Sequence, residues 1–207
     1  MEVEFKWKAD CPRAFYKMHR ALESLGSVGP AQRWKLRDVY LDTPQGDLGA
    51  KKIAFRLRCS NGKWEATFKT KTAVVNGKAV RREETLPLPA ATSFAQALHL
   101  LHTKKRWKNL PLQQLSPLFE IRNHRITRSF VMPRFSAEVA FDNCRIIVGK
   151  QRVLFKEIEM ELKRGRVFAL EKAALFLTQK SGLLYSDRSK IKTAIALLQT
   201  QKNKCKK

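Results

Sequence analysis

The sequence predicts an α+β domain in which a β-sheet closes on itself around a charged interior and is covered outside by amphipathic helices. Two observations lead to this fold. At least five segments alternate charged and apolar residues with the period of two that is typical of strands. Four other segments carry apolar residues at helical spacing. A closed sheet can enclose the charged faces and bury its apolar outside under such helices.

Each predicted strand places its charged residues on one face. The first, within residues 1–7, projects Glu2, Glu4 and Lys6 from one side and three apolar side chains from the other. This pattern alone is common on solvated strands, but it repeats in four later segments, which are Phe55–Arg58, Trp64–Lys71, Ala137–Asp142 and Glu157–Leu162. Their charged faces carry Arg56 and Arg58; Glu65, Lys69 and Lys71; Glu138 and Asp142; and Glu157, Glu159 and Glu161. The repetition favours an interior lined with charge.

Four segments predict the helical cover, at Pro12–Leu25, Ser93–His102, Val167–Gln179 and Ser189–Gln199. The first is followed by Gly26 and the third by Gly182. Glycine just past the last helical residue is typical of helix C-termini, because it adopts the left-handed conformation at little cost.

The 207 residues are sufficient for one domain, and no Gly- or Ser-rich linker divides them. We therefore expect one domain over residues 1–200, followed by a basic, disordered tail at 201–207. Asn76-Gly77 predicts a hairpin turn, and the basic segment Lys104–Lys108 predicts a connection within the domain. The absence of a long apolar run or an apolar leader, together with four scattered cysteines, predicts a soluble, cytoplasmic protein.

The formal net charge of +24 indicates tolerance of a polyanionic partner. A nucleic-acid binder would place Lys and Arg on an outer face, whereas here much of the base lies on strands interleaved with carboxylate strands. Cations together with carboxylates that hold Mg²⁺ are typical of sites for phosphoanhydrides. A small molecule with a phosphoanhydride is thus the expected partner, and binding of nucleic acid or polyphosphate by the basic surface is not favoured.

The opening Glu2-Val3-Glu4-Phe5-Lys6 resembles the Glu-x-Glu-x-Lys signature of the CYTH, or triphosphate tunnel metalloenzyme, superfamily. The resemblance continues from Glu2 to about Leu198. Three later pieces are most similar to the bacterial inorganic triphosphatase branch, namely Tyr40-Leu41-Asp42-Thr43-Pro44, Ser116-Pro117-Leu118-Phe119 and Ser189-Lys190.

The resemblance implies an antiparallel, eight-stranded tunnel and roles for its charged residues. Residues implied to bind Mg²⁺ or Mn²⁺ are Glu2, Glu4, Glu157, Glu159 and Glu161. Residues implied to hold triphosphate oxygens are Lys6, Arg56, Arg58, Lys69, Arg125 and Lys190. Residues left to bind a second metal or activate water are Glu84, Glu138 and Asp142. Arg128 competes with Arg125 for one phosphate-binding position.

The favoured function is metal-dependent hydrolysis of inorganic triphosphate to pyrophosphate and phosphate. One alternative keeps the tunnel and changes the substrate to thiamine triphosphate, a nucleoside triphosphate, an RNA 5′-triphosphate, or ATP cyclised as in class IV adenylate cyclases. The other is a noncatalytic module that binds polyphosphate or nucleic acid. The sequence leaves the metal preference and the oligomeric state open.

Overall fold

The computed structural model describes residues 2–70, 74–103, 107 and 109–204. Its helices are α1 Ala14–Glu23, α2 Asp47–Ala50, α3 Phe94–His102, α4 Val167–Ser181 and α5 Lys190–Lys204, with a 3₁₀ turn at Leu112–Gln114. Its strands are β1 Glu2–Lys8, β2 Ser27–Val28, β3 Gln32–Asp42, β4 Ile53–Ser60, β5 Lys63–Thr70, β6 Val74–Val75, β7 Lys78–Arg81, β8 Glu83–Leu88, β9 Ser116–Met132, β10 Phe135–Val148 and β11 Gln151–Gly165.

All of these strands belong to one curled antiparallel sheet, in the order β6-β7-β1-β11-β10-β9-β3-β4-β5-β8, with β2 paired to β9. The prediction of an α+β fold built on such a sheet is confirmed. The described part of the chain divides into eleven strands where eight were predicted, because β2 and β6 are two-residue segments and Arg82 separates β7 from β8. Since Arg82 joins strands near opposite ends of this order, the topology is consistent with closure, which stays a prediction.

Helices α1 and α4 pack on the outside of β1, β10 and β11. Their shared core contains fully buried Trp7, Met18, Leu22 and Ile158. Helix α3 packs over β4, β5 and β8 in a second core. The amphipathic spacing of these three helices therefore corresponds to a true outer cover, although α1 begins two residues later than predicted and α4 ends two residues later.

Helix α5 has a different position from the other three predicted helices. Its Ala194 and Ile191 pack with Ile121 and Ile146, which belong to the concave face of the sheet. An apolar stripe shows that a helix is covered on one side but not by which surface. The helix runs to Lys204, so residues 201–204 of the predicted tail are helical. Lys71, the segment 104–106, Lys108 and the tail residues 205–207 lie outside the described residues.

The carboxylate of Asp42 organises a short helix that the sequence did not predict. It accepts hydrogen bonds from the backbone N–H groups of Thr43, Leu48 and Gly49 at 2.8, 2.8 and 3.0 Å. The bonds from Leu48 and Gly49 satisfy amide donors that the first turn of α2 leaves unpaired. Within the Tyr40–Pro44 motif, Asp42 is therefore a structural residue.

The turn predicted at Asn76-Gly77 joins β6 to β7 and is confirmed. Val75 pairs with Lys78, and Asn76 and Gly77 have φ angles of 49° and 76°. Two positive φ angles are the requirement of a type I′ hairpin turn. The described chain contains no helix long and apolar enough to cross a membrane.

Replacing Phe130 tests the core beneath α1. Its side chain is fully buried, whereas Phe168 on α4 is 63% exposed. We expect Phe130→Ala to lower the free energy of unfolding by about 3 to 5 kcal/mol through lost burial and a residual cavity. The matched control Phe168→Ala should change it far less. Urea unfolding followed by circular dichroism measures both variants, and equal losses would contradict this packing.

Candidate functional site

The concave face of the sheet encloses a cavity of about 440 Å³ whose lining residues are mostly charged. The lining includes eight carboxylates and seven cationic side chains. The carboxylates are those of Glu2, Glu4, Asp38, Glu83, Glu138, Glu157, Glu159 and Glu161, and the cations are Lys6, Arg56, Arg58, Lys69, Arg125, Lys163 and Lys190. The two signs are unevenly distributed, so the cavity has a basic wall, an acidic wall and a more exposed mouth.

The basic wall is built on β3, β4 and β5. Asp38 is buried between two arginines: Arg58 donates to it at 2.6 and 2.7 Å, and Arg56 donates at 3.2 Å. Burial on its own would raise the pKa of Asp38, but the guanidiniums of Arg58 and Arg56 hold that pKa below its ordinary value. Lys69 forms an ion pair with Glu83 from β8. The cations of this wall are therefore fixed in place by carboxylates.

Arg125 of β9 connects the basic wall to the acidic wall. It donates to both oxygens of Asp142 at 2.7 Å and to Glu159 at 2.6 Å. Asp142 is fully buried and also accepts from Asn123 at 2.8 Å and from Lys190 at 2.6 Å. Burial on its own would raise the pKa of Asp142, but Lys190 and Arg125 lower it to about 2. Asp142 thus stays ionised and orients the two cations.

The acidic wall is formed by β1 and β11, where Lys6 lies opposite Glu159 in the ladder. The Lys6 ammonium contacts Glu159 at 2.5 Å and Glu4 at 3.3 Å. Lys190, at the start of α5, contacts Glu159 at 3.1 Å and also pairs with Glu157. Burial on its own would lower the pKa of Lys6, but these carboxylates raise it above its ordinary value. Both ammonium groups are therefore held in the charged form.

The two central glutamates of β11 differ in their protonation. Burial raises the pKa of Glu157 to about 7, although Lys190 and Lys6 oppose that shift. Burial would also raise the pKa of Glu159, but Lys190 and Lys6, with further help from Arg125, hold it well below its ordinary value. Glu159 is therefore ionised at neutral pH, whereas Glu157, with a pKa of about 7, is only partly ionised there.

The mouth of the cavity contains Glu2, Glu138 and Glu161 around Lys163. Lys163 contacts Glu161 at 2.9 Å and Glu138 at 3.7 Å. The side chains of Glu161 and Glu138 are 31% and 38% exposed, against 10% or less for Glu4, Glu157 and Glu159. Burial raises the pKa of Glu161, and the nearby charges of Glu2 and Glu138 add to that shift. A ligand entering here would meet carboxylates before it reached the cations.

Comparison with known proteins identifies the family. The family model described as "CYTH domain" matches residues 1–195. This chain belongs to the CYTH family. It is 31% identical over 162 residues to the inorganic triphosphatase of Haemophilus influenzae, in an alignment covering 78% of this chain and 46% of the relative. The chain thus spans about half the length of the curated relative it matches.

Solved structures show the CYTH fold at low sequence identity. A Hippeastrum protein, described as a candidate adenylyl cyclase with a dominant triphosphatase activity, has a TM-score of 0.67 and 16% identity, with 95% of this chain and 96% of that chain covered. A protein from Pyrococcus horikoshii has a TM-score of 0.62 and 16% identity, with coverage of 95% and 99%. The Mimivirus capping-enzyme triphosphatase has a TM-score of 0.55 and 14% identity, with coverage of 87% and 89%.

The acidic wall of this CYTH domain has the donors that a divalent metal needs. Oxygen atoms of Asp142, Glu157 and Glu159 lie within 4.8 Å of one another. The Oε2 atom of Glu157 is buried and accepts no hydrogen bond from the described residues, whereas both oxygens of Asp142 are already bonded to cations. Hard cations such as Mg²⁺ and Mn²⁺ prefer carboxylate oxygens. The residues present therefore fit such an ion, with Glu157 more available than Asp142 or Glu159, whose two oxygens also accept from Lys6, Lys190 and Arg125.

The structure brings most of the sequence-predicted site residues to this cavity. All six predicted phosphate-binding residues, all five predicted metal-binding glutamates and Glu138 belong to its lining. Arg125 and its competitor Arg128 are three residues apart on β9, so their side chains point to opposite faces of the sheet. Arg125 lines the cavity, whereas Arg128 donates to the carbonyl oxygen of Gly29 at 2.9 Å.

Two predicted catalytic residues have other positions. Glu84 lies on the opposite face of β8 from the cavity, where it accepts from the Trp107 indole at 3.2 Å and from Arg82 at 2.5 Å. Its neighbour Glu83 occupies the lining, because adjacent strand residues point to opposite faces. Asp142 lies beneath the lining and is fully buried.

Sequence reasoning missed Asp38, Glu83, Asn123 and Lys163, which all line the cavity. Asn123 precedes Arg125 by two residues, and Lys163 follows Glu161 by two, so the alternation used for their neighbours would have included them. Asp38 shares the inner face of β3 with Tyr40. Its signal is weaker, because the nearest residues on the same face, Leu36 and Tyr40, are uncharged.

Replacing Asp38 tests the basic wall. We expect Asp38→Asn to lower the free energy of unfolding at pH 7 by about 3 to 5 kcal/mol, because Arg58 loses its carboxylate partner and Arg56 loses the nearer of its two carboxylate partners. The pKa of Asp38 is lowered in the folded state, so its stabilisation is present above about pH 4 and is lost as pH falls through the folded-state value. The difference between wild type and variant should therefore shrink on acidification.

Urea unfolding at several pH values between about 3 and 7 measures this difference. The matched control is Asp10→Asn, since Asp10 pairs with Arg188 at the exposed surface and exposed pairs contribute little. A wild-type-to-variant difference that stays constant across the acid range would contradict the role assigned to Asp38.

Proposed function

We propose that this CYTH domain hydrolyses inorganic triphosphate to pyrophosphate and phosphate with the help of Mg²⁺ or Mn²⁺. The observation that carries the proposal is the arrangement of two walls in one cavity: the cations Arg56, Arg58, Lys69 and Arg125 lie beside a cluster of buried carboxylates whose oxygens are within 4.8 Å of one another. The likeness to an inorganic triphosphatase supports the choice of substrate.

We also propose a cytoplasmic location. The free cysteines among the described residues, Cys11, Cys59 and Cys144, support it, because the cytoplasm keeps thiols reduced.

The cations prepare the cavity for a polyanion before it arrives. Phosphoryl transfer depends largely on positioning and on neutralising the transferred group, because a nucleophile is repelled by the oxygen charges. Asp38 and Asp142 orient Arg58 and Arg125, so these guanidiniums need little reorganisation when they bind phosphate oxygens. Lys6, Arg56, Lys69 and Lys190 would contribute the remaining contacts, and Arg forks suit phosphate geometry.

The carboxylates supply the other half of the site. Glu2, Glu4, Glu157, Glu159 and Glu161 are the residues proposed to hold metal, and the buried members are the strongest candidates. A bound divalent ion would neutralise phosphate charge and make a bound water more acidic. Of the three residues predicted to activate water, Glu138 alone lines the cavity. We therefore assign that role to Glu138 and assign Asp142 the positioning of Arg125 and Lys190.

The lining favours an inorganic substrate over a nucleotide. Tyr40 is the one aromatic side chain among the described lining residues, and it is buried and stacked on Phe119 with ring centroids 4.7 Å apart. A base-binding pocket is normally lined by apolar or aromatic groups. Thiamine triphosphate, ATP and RNA 5′-triphosphate are the alternative substrates, and the assay compares their turnover with that of tripolyphosphate.

Purified protein with Mg²⁺ or Mn²⁺ should release phosphate from tripolyphosphate faster than from ATP, thiamine triphosphate or triphosphorylated RNA. A malachite-green assay measures phosphate release, and a separate assay for cyclic AMP tests cyclisation of ATP. Faster turnover of an organic triphosphate would replace the proposed substrate. Binding without turnover of any of them would support the noncatalytic alternative.

Arg125→Ala should lower kcat/KM for tripolyphosphate by about 10² to 10³, the size of effect seen when one preorganised charge-stabilising donor is removed. Arg128→Ala is the matched control and should leave turnover close to wild type, because Arg128 bonds to a backbone carbonyl away from the cavity. Circular dichroism checks that both variants fold. The reverse order of effects would show that the register assigned to β9 is wrong.

Chelation should stop turnover, and added Mg²⁺ or Mn²⁺ should restore it. Because Glu157 and Glu159 are expected ligands, Glu159→Gln should weaken Mn²⁺ binding measured by electron paramagnetic resonance, independently of activity. Glu120→Gln, on the outer face of β9, is the matched control. Unchanged Mn²⁺ affinity in Glu159→Gln would exclude this glutamate as a ligand.

A further inference from the structure

Most of the excess positive charge lies outside the cavity. The net charge is +24, whereas the cavity lining has nearly balanced numbers of carboxylates and cations. Many of the outer cations lie together on the convex face of β3, β9, β10 and β11. We call this surface the basic sheet face, and its residues are Arg33, Lys35, Arg37, Arg122, His124, Arg145, Arg152 and Lys156, all exposed.

Strand register joins these residues into one array. Arg122 lies opposite Arg37 on β3 and opposite Arg145 on β10, while His124 lies opposite Lys35. Lys156 is paired with Asn143, the neighbour of His124 in the next ladder. With strands about 4.8 Å apart, four strands span about 14 Å, and alternate residues of one strand are about 6.7 Å apart. The cations therefore form a two-dimensional patch.

Other charges facing this patch are few. Glu120 accepts from Arg37 at 3.0 and 3.1 Å and from Arg122 at 2.5 Å, which fixes both guanidiniums at one edge. No carboxylate of the described residues lies within ion-pair distance of the other cations, which are Arg33, Lys35, Arg145, Arg152 and Lys156. Like charges on neighbouring strands repel one another. The basic sheet face thus retains strong uncompensated positive charge.

We propose that the basic sheet face binds the phosphate backbone of a nucleic-acid duplex. Sequence reasoning did not favour a nucleic-acid partner, because it could not show that these cations form a separate outer surface. The patch is about 14 Å wide, comparable with the ~12 Å major groove, so its opposite edges can reach two backbones. A linear polyphosphate would need only a row of cations. Arginine, the commonest residue of the patch, binds phosphate through two donors.

Composition of the patch argues against two other polyanionic partners. It has no Phe, Tyr or Trp side chain, whereas proteins that bind single strands stack successive bases on such rings. Leu154, which is 68% exposed, is the one exposed large apolar side chain among the described residues of this face, so the face lacks the apolar area that a peripheral membrane helix inserts. The basic sheet face and the cavity occupy opposite sides of the same strands. Duplex binding is therefore independent of the proposed triphosphatase reaction.

Fluorescence anisotropy with a labelled ~20-base-pair RNA duplex and with its DNA counterpart tests the proposal, using the full chain at about 50 to 200 mM salt. Charge reversal of the patch uses the triple variant Arg33→Glu, Lys35→Glu and Arg145→Glu. The matched control carries the same charge change on exposed residues of α1 and α4, namely Lys17→Glu, Lys172→Glu and Lys180→Glu.

We expect the patch variant to weaken binding to at least one duplex by more than about tenfold and to reduce the salt slope by about three, since three phosphate contacts are lost. The control should keep both close to wild type. Thermal unfolding verifies that each triple variant folds, and the milder pair Arg145→Gln and Lys156→Gln, expected to weaken binding in the same direction, provides a second measurement. Tripolyphosphate turnover should be unchanged in the patch variants, because these residues lie outside the cavity.

Four results would overturn the proposal. Equal weakening in patch and control variants would show that binding depends only on total charge. Tighter binding of the separated strands than of the duplex, or displacement of the duplex by inorganic polyphosphate at much lower phosphate concentration than by unlabelled duplex, would identify a different ligand. Failure of the wild-type chain to bind either duplex at about 50 mM salt would also reject it.

Discussion

Mutual neutralisation of buried charges is the constraint on which this structure depends. An isolated ion in a protein interior costs several kcal/mol even after relaxation, and removing one partner of a buried pair is strongly destabilising. Here Asp38 lies between two guanidiniums, and Lys6 lies against Glu159. The antiparallel sheet makes these pairings possible, because it brings the inner faces of β1 and β11 or β3 and β4 into register.

The same neutralisation prepares the cavity for chemistry. Stability alone does not account for so many buried ions, since a well-packed apolar core would often be equally stable. In the proposed reaction, a triphosphate would replace carboxylates as the partner of the cations, and a divalent metal would replace ammonium groups as the partner of the carboxylates. Lys190 illustrates the balance, because it contacts Asp142 and Glu159 from a helix that packs into the concave side of the sheet. The site is preorganised by the groups that its ligands would partly replace.

The sequence predicted the parts of the fold and the site in which a pattern of charged and apolar residues repeats. Alternation was readable in β1, β4 and β11 because several like charges shared one face. It failed for Glu84, since two adjacent glutamates give no parity and only the register of β8 with β5 places Glu83 inside. Helix α2 was missed because its anchor, Asp42, acts through backbone hydrogen bonds that leave no periodic pattern. The inner position of α5 could not be predicted, because an apolar stripe does not specify the surface it meets.

Strand parity also separates the two proposed polyanion sites of this sheet. Arg37 and Asp38 are adjacent in β3, yet one belongs to the basic sheet face and the other anchors the basic wall of the cavity. A one-residue slip of β3 would exchange them, placing Asp38 among outer cations and Arg37 against the arginines of β4. Asp38 is therefore important to both surfaces: its ion pairs with Arg56 and Arg58 fix the register that keeps Arg33, Lys35 and Arg37 on the outside. A substitution that allows β3 to shift by one residue would be expected to weaken both proposed sites together, although they share no ligand-contacting residue.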